Sequence, residues 1–266
     1  VVIVGFIIII VFLFTAAFPS FLAPYPPNKT DTDNVLAQPS RDHFLGTDTL
    51  GRDTLSRLIN GARIALFVGV VALLIAAGTG MVLGLVAGFF GGAANAVIMR
   101  FIDAILSFPM VLLIMFITAL SGGGMKNVMI AVGIGMMPGY VRVMCAQVLS
   151  IKENDYILAG RAMGSSNRRI MFRHIFPNCF PVMIVLMTMQ IGITILAEAG
   201  LSFLGIGITL PTATWGNMVS NGYLYLLTNP ILSFAPGIAI VLVVFAFNMV
   251  GDGLRDALDP RLRGTL

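Results

Sequence analysis

Glu198 is the only acid deep in the fifth long apolar run of this 266-residue chain, and Gln190 precedes it by two helical turns. An ionisable group inside an apolar run is a functional hypothesis in itself, since its charge is costly to bury without a partner. Glu198 also lies near the end of its run, where it could reach interfacial water. A hydrogen bond to a neighbouring span or to the following loop is favoured over direct contact with a substrate. Asp103, the other candidate acid, sits near a run's end as well. His43 and His174 are far apart, and neither has a Cys or carboxylate at metal-ligand spacing, so no metal site is expected. Cys145 and Cys179 lack the spacing of a disulfide framework or metal knuckle. Gly122-Gly123-Gly124-Met125-Lys126 has the wrong spacing for a phosphate loop, and no Ser/His, paired-Asp or HExxH arrangement falls within the apolar runs. The chain is therefore expected to do no covalent chemistry, bind no cofactor and leave any ATP hydrolysis to a partner.

The elements that position these residues are membrane spans. Hydrophobic residues make up 58% of the chain and charged ones 11%, with a mean hydropathy of +0.95. A soluble domain carries roughly a quarter charged residues, which excludes a water-facing globule. The pattern predicts an all-α integral membrane protein with six spans near 1–18, 64–90, 96–120, 127–149, 178–204 and 231–251. Residues 1–18 open without a Met and read as an N-terminally incomplete first span; a signal-peptide core is the alternative. Residues 19–63 read as an external loop with an amphipathic segment, and 64–266 as a five-helix core with a loop at 150–177.

The net charge of +4 does not point to nucleic acid, because Lys and Arg in such a chain mark cytoplasmic loops. Arg100, Arg142, Lys152, Arg161, Arg168, Arg169, Arg173, Arg255, Arg261 and Arg263 fall on the side of the termini. Lys29, Arg41, Arg52, Arg57, Arg63 and Lys126 fall on the other. Cytoplasmic termini are expected.

Ala76, Gly80, Gly84, Gly88 and Gly92 recur every fourth residue and predict a small-residue ridge for close helix packing. Pro138, flanked by Gly135 and Gly139, predicts a kink in the fourth span and is, with Gln190 and Glu198, a candidate pathway or gate residue. Residues 210–229, with Trp215, Tyr223 and Tyr225, suit a short interfacial helix. Asp252, Arg255 and Asp259 are spaced to pair along the end of the last helix.

Residues 150–178, SIKENDYILAGRAMGSSNRRIMFRHIFPN, are too polar to span and too patterned for a slack linker. Tyr156 to Met163 predict a short helix, Gly164 a tight or left-handed turn, and Ser165 or Ser166 the cap of a second short helix. Pro177 suits the first turn of the next span. Such a knob either lies on anionic lipid or docks a cytoplasmic partner.

This loop resembles the EAA loop of ABC-transporter permeases through Leu158, Ala159, Gly160, Gly164, His174, Phe176 and Pro177, although the pattern's Glu, second Ala, Ile and Leu are replaced. With HFLGTDTLGRDTLSRLINGARIAL (43–66), AEAGLSFLGIG (197–207) and GDGLRDALDPRLRG (251–264), the chain resembles the C-type permease of dipeptide, oligopeptide and nickel importers. The resemblance implies the type I importer fold and four kinds of partner. These are a homologous second permease, two cytoplasmic ATP-binding subunits holding ATP and Mg, an external substrate-binding protein and membrane lipid. It also implies an ATPase-coupling role for Tyr156, Ala159, Gly160, Arg161, Ala162, Gly164, Arg168, Arg169, Arg173, His174 and Pro177. The expected cargo is a dipeptide or oligopeptide, with a nickel chelate as the alternative within the family. An ion-coupled carrier would need buried acids in several spans, and an intramembrane enzyme would need a catalytic constellation, neither of which the sequence offers.

Overall fold

The computed structural model describes residues 2–258, so Asp259, Arg261, Arg263 and the end of the 251–264 motif lie outside the described residues. The described chain is helical. Helix α1 (Val2–Ala17) is apolar along its length and ends before Pro19, which opens the single turn α2 (Pro19–Leu22). The prolines that follow cannot continue a helix, and residues 23–53 form an irregular segment with one 3₁₀ turn at Thr32–Asn34.

Helix α3 (Thr54–Phe90) begins ten residues before the span expected at 64. Its first turns are polar, which hydropathy reads as loop, but Ser56 and Arg57 there are bonded within the fold. The Asp53 carboxylate caps the helix by accepting from the Ser56 N–H at 2.8 Å. The buried Arg57 guanidinium donates to the Pro27 carbonyl at 3.0 Å and to Asn28 at 3.2 Å, with Asp48 at 3.5 Å. At 1.5 Å per residue α3 is roughly 55 Å long, well beyond a hydrocarbon core of about 30 Å.

The expected third span is broken. Helices α4 (Gly92–Leu106) and α5 (Met110–Leu120) meet at an 88° bend. The cause is Pro109: it lacks an N–H and pushes Phe108 out of the helical region, so the first helix stops at Ser107 and a second starts after the proline. Helix α6 (Gly124–Ile151) runs unbroken through Pro138. Helices α7 (Asp155–Ala162), α8 (Asn167–Arg169), α9 (Phe176–Phe203), α10 (Trp215–Tyr223) and α11 (Ile231–Leu258) complete the chain. A π-helical turn at Ile170–Ile175 joins α8 to α9, so a single helical run extends from Asn167 to Phe203. This differs from the short helix expected before a separate fifth span. Pro177 and Pro181 lie at and just inside the start of α9, and the widened turn gives their rings room where two N–H donors are missing. Among the described residues, four helical runs are long and apolar enough to cross a membrane, alongside the bent α4–α5 pair and the 16-residue α1.

The core is organised by α3 against α6. A Cβ on Gly80 would lie 2.5 Å from the Tyr140 Cβ, one on Gly84 2.6 Å from the Val141 carbonyl oxygen, and one on Gly88 2.7 Å from the Val148 Cβ. These positions, with the fully buried Ala76, let the two backbones approach along four turns. Gly92 does not belong to this contact. Helix α3 ends at Phe90, Gly91 and Gly92 adopt positive φ in the turn to α4, and a Cβ at Gly92 would meet nothing within 4 Å. The spacing of four continues past the point where the helix stops. A second core cluster joins α1, α10 and α11 through Phe12, Trp215 and Phe247, and the Trp215 indole donates to the Leu58 carbonyl at 2.9 Å.

Candidate functional site

Loop 150–178 rests on an apolar base. Ile157 of α7, Ile170 and Ile175 of the π turn and Cys179 of α9 are all buried in the cluster that contains Val148 and Phe89. Gly164 adopts φ +80° with open space around it. Its N–H donates to the Arg161 carbonyl at 2.9 Å, and the Ser165 N–H donates to that of Gly160 at 3.0 Å. Only a residue tolerant of positive φ closes α7 this way. Ser166 then caps the next helix by accepting from the Arg169 N–H at 3.4 Å. Asn178 secures the far side, its side-chain amide donating to the His174 carbonyl and to the Tyr156 hydroxyl.

The outer surface of the loop is apolar at its tip and basic at its rim. Met163 is 81% exposed, and Tyr156, Leu158 and Phe172 are each about half exposed. Arg161 lies over the Phe89 ring at 5.6 Å, which pins α7 to the end of α3. Arg168, Arg169 and Arg173 line an open concavity with Ser166, Phe172 and Pro177. Ala159, Ala162 and Gly164 are exposed beside them, while Gly160 and His174 are half-buried. The structure thus brings all eleven loop residues singled out in the sequence onto one protrusion. Lys152 fastens its root by donating to the Gly88 carbonyl at 3.3 Å.

Glu198 has no route to interfacial water: it is 1% exposed. The Ser202 hydroxyl donates to its carboxylate at 2.7 Å and accepts from the Ile208 N–H at 3.2 Å. The Asn217 amide of α10 donates to the Ile208 carbonyl at 2.7 Å. Glu198 therefore anchors a polar cluster that folds residues 204–214 and α10 back over the end of α9. Gln190 and Pro138 lie elsewhere. The Gln190 carbonyl accepts from Thr194 at 2.7 Å, and the same hydroxyl lies 3.1 Å from the sulfur of Met136, two residues before Pro138 on α6. Among the described residues no hydrogen bond joins Pro138, Gln190 and Glu198.

Two features escaped the sequence reading. An apolar cavity of about 200 Å³ lies between α5 and α9, lined by Met110, Val111, Ile114, Ile193, Leu196 and Ala197 among others. Side chains of these types occur in every span, so nothing marked them. The 23–53 segment is tied together by the His43–Asp53 contact at 2.9 Å and the Arg52–Asp48 ion pair at 2.7 Å, and Arg57 fastens it to α3 through Pro27, Asn28 and Asp48. The first was hidden because His43 has no carboxylate at metal-ligand spacing. Among the described residues no cluster of three or more His, Cys, Asp or Glu could hold a metal, and Cys145 and Cys179 are both buried as free thiols.

Known proteins share this sequence and this arrangement. Residues 80–264 match the family described as binding-protein-dependent transport system inner membrane component. Residues 1–39 match the N-terminal TM domain of oligopeptide transport permease C. The chain is 41% identical over 261 residues to the dipeptide transport system permease protein DppC of Alkalihalophilus pseudofirmus, covering 98% of this chain and 86% of the relative. It is also 41% identical to the glutathione transport system permease protein GsiD of Pectobacterium atrosepticum, covering 93% and 83%. Among solved structures, an inward-facing MetNI methionine ABC transporter chain superposes with a TM-score of 0.60 at 17% identity, covering 76% of this chain and 96% of the other. The sequence relatives span nearly all of the described helices, and the structural likeness extends to the same helical fold. The chain belongs to the family of binding-protein-dependent transport system inner membrane components, as an ABC importer permease of the C type.

Proposed function

We propose that this permease carries short peptides inward across the prokaryotic inner membrane as one half of a heteromeric pore. α1, α3, the α4–α5 pair, α6, α9 and α11 serve as six crossings with cytoplasmic termini. A homologous permease completes the pore, and an external binding protein delivers cargo at the face formed by residues 19–53 and 204–230. Two ATP-binding subunits, which carry the ATP and Mg²⁺, dock on loop 150–177. Dipeptides and glutathione are the cargoes named for the relatives, and both present a free amine, a free carboxylate and peptide bonds.

The observation that carries this reading is the make-up of loop 150–178. Its base is buried in the bundle, yet Met163, Tyr156, Leu158 and Phe172 face outward with an arginine rim. A rigid root with an exposed apolar tip suits transfer of force from a docked protein better than a slack linker. Closure of the ATPases would push on α7 and α8, and the continuous run from Asn167 to Phe203 would carry that movement to the α5–α9 cavity.

The test is uptake of labelled dipeptide and of glutathione into proteoliposomes holding the permease pair, the ATPases and the binding protein. The expected result is uptake that requires both ATP and the binding protein. Uptake driven by an ion gradient without ATP would refute the reading.

A further inference from the structure

Asp103 and Arg142 are 39 residues apart and on different helices, yet the Arg142 guanidinium donates to the Asp103 carboxylate at 2.7 Å. The pair differs from the buried Arg52–Asp48 ion pair of the 23–53 segment. Both side chains remain more than half exposed, at 55% for Asp103 and 56% for Arg142. Arg142 is also the only charged residue of α6 between Lys126 and Lys152. Ten residues separate it from Lys152, so it lies roughly 15 Å inside that end of the helix. Helix α6 is roughly 42 Å long against a hydrocarbon core of about 30 Å, so with the excess shared between its ends Arg142 lies roughly 9 Å inside the core. A charged pair exposed there to lipid would be expensive, and such residues face protein or a water-filled path.

The surroundings favour the water-filled path. Gly135 of α6 packs on Ile114 and Met110 of α5, and these two residues line the apolar α5–α9 cavity. Arg142 follows Gly135 by two turns, so it occupies the same face of α6, roughly 10 Å from the cavity toward loop 150–178. The stripe that contains it, Gly139, Arg142, Ala146 and Leu149, is exposed, and no described residue of another element lies within 4 Å of a Cβ at Gly139. On the other side, Asp103 lies four residues before the break at Ser107–Pro109, where α4 turns 88° from α5. The pair therefore links α6, which is locked to α3 by the glycine ridge, to the one helix that ends in a sharp break.

We infer that Asp103 and Arg142 form a charged latch on the translocation pathway, on the loop-150–178 side of the α5–α9 cavity, which holds α4 against α6 when the path is shut. A peptide carries the same two charges as the latch. Its carboxylate can accept from Arg142 and its ammonium can donate to Asp103, so cargo can open the latch by taking its place. This inference rests on the peptide-permease reading above.

The test uses the full reconstituted complex. Wild-type ATP-dependent uptake is the control for the reading itself. Asp103→Asn should leave the complex assembled and raise ATP hydrolysis in the absence of cargo at least threefold, with less cargo moved per ATP. Exchange of the two residues, Asp103→Arg with Arg142→Asp, should return cargo-free hydrolysis to within twofold of wild type. A second measurement does not depend on coupling. With Cys145 and Cys179 replaced, Arg142→Cys should react with a charged, water-soluble thiol reagent in the assembled complex, and peptide should slow the reaction. Either of two results overturns the latch while wild-type uptake stands: an exchange variant that assembles but stays uncoupled, or a Cys at 142 that reacts only with a lipid-soluble maleimide.

Discussion

Replacing Gly84 by alanine adds one methyl group to the middle of the α3–α6 contact. That methyl would lie 2.6 Å from the Val141 carbonyl oxygen, 2.7 Å from the Met144 Cβ and 3.1 Å from the Cys145 nitrogen. Two of these atoms are backbone and the third is fixed to it, so no rotamer change relieves the clash. The helices must separate by nearly 1 Å to reach ordinary van der Waals distance, and this would loosen the Gly80 and Gly88 contacts on the same ridge. Overpacking of this kind costs about 1–3 kcal/mol. Against it stands a gain of about 1 kcal/mol from the better helix propensity of alanine. Gly78 isolates that gain, because it lies on the same helix with nothing within 4 Å of a Cβ. Between helices in lipid the hydrophobic drive is weak and packing carries the association, so the lost contact is not offset by burial. The expected order of thermal stability is Gly78→Ala at or above wild type, then Gly84→Ala, then Gly84→Leu. The measure is recovery of the intact complex by size exclusion after heating in detergent. Equal recovery of Gly84→Leu and wild type would refute the ridge as a packing surface.

Other perturbations probe the remaining polar contacts. Ser202→Ala removes the donor to a fully buried carboxylate, which costs about 1–3 kcal/mol, and should lower complex recovery. Glu198→Gln, which can still accept from Ser202, should assemble and transport near normally; loss of uptake in this variant with assembly intact would give the acid a direct role in transport. Asp53→Ala removes the cap of α3 and its bonds to Ser56 and His43. A lost cap costs about 1–2 kcal/mol, and cleavage of the 23–53 segment by added protease should become faster. With Cys145 and Cys179 replaced, cysteines at Thr32 and Ser166 should divide between the two faces of the membrane. An impermeant thiol reagent added to intact cells should label position 32 and spare 166, and the reverse pattern would invert the proposed topology.

Periodicity made some of this architecture legible. Four-residue spacing marked Ala76, Gly80, Gly84 and Gly88 as one helix face because a helix repeats every 3.6 residues. It also carried the ridge one turn too far, to Gly92, since spacing alone does not report where backbone hydrogen bonding ends. Hydropathy found the apolar runs but averaged over Pro109, so a broken element read as one straight span. It also placed the start of the second span at residue 64, because Arg57, Asn60 and Arg63 read as loop. Arg57 in fact belongs to the helix, hydrogen-bonded to Pro27 and Asn28 some thirty residues away and facing the Asp48 carboxylate. In loop 150–178 the turn glycine and the capping serine were visible locally, whereas the π turn that merges the second short helix with α9 depends on how two prolines are accommodated. The Asp103–Arg142 pair was invisible for the most general reason: nothing in either segment reports a partner 39 residues away.

The claim on which the account turns is that ATPase subunits drive this permease through loop 150–177. Gly164 holds φ +80° at the hinge between α7 and α8, a conformation a β-branched residue tolerates poorly. Gly164→Val should therefore redirect both helices together, while Arg168→Ala removes one exposed rim charge worth about 0–1 kcal/mol and should keep most uptake. The decisive measurement is subunit stoichiometry and ATP-dependent uptake of Gly164→Val in a single reconstituted preparation. The expected result is a permease that inserts and pairs with its homologous partner but loses the ATPase subunits and its uptake; full ATPase retention with full uptake would contradict coupling through this loop.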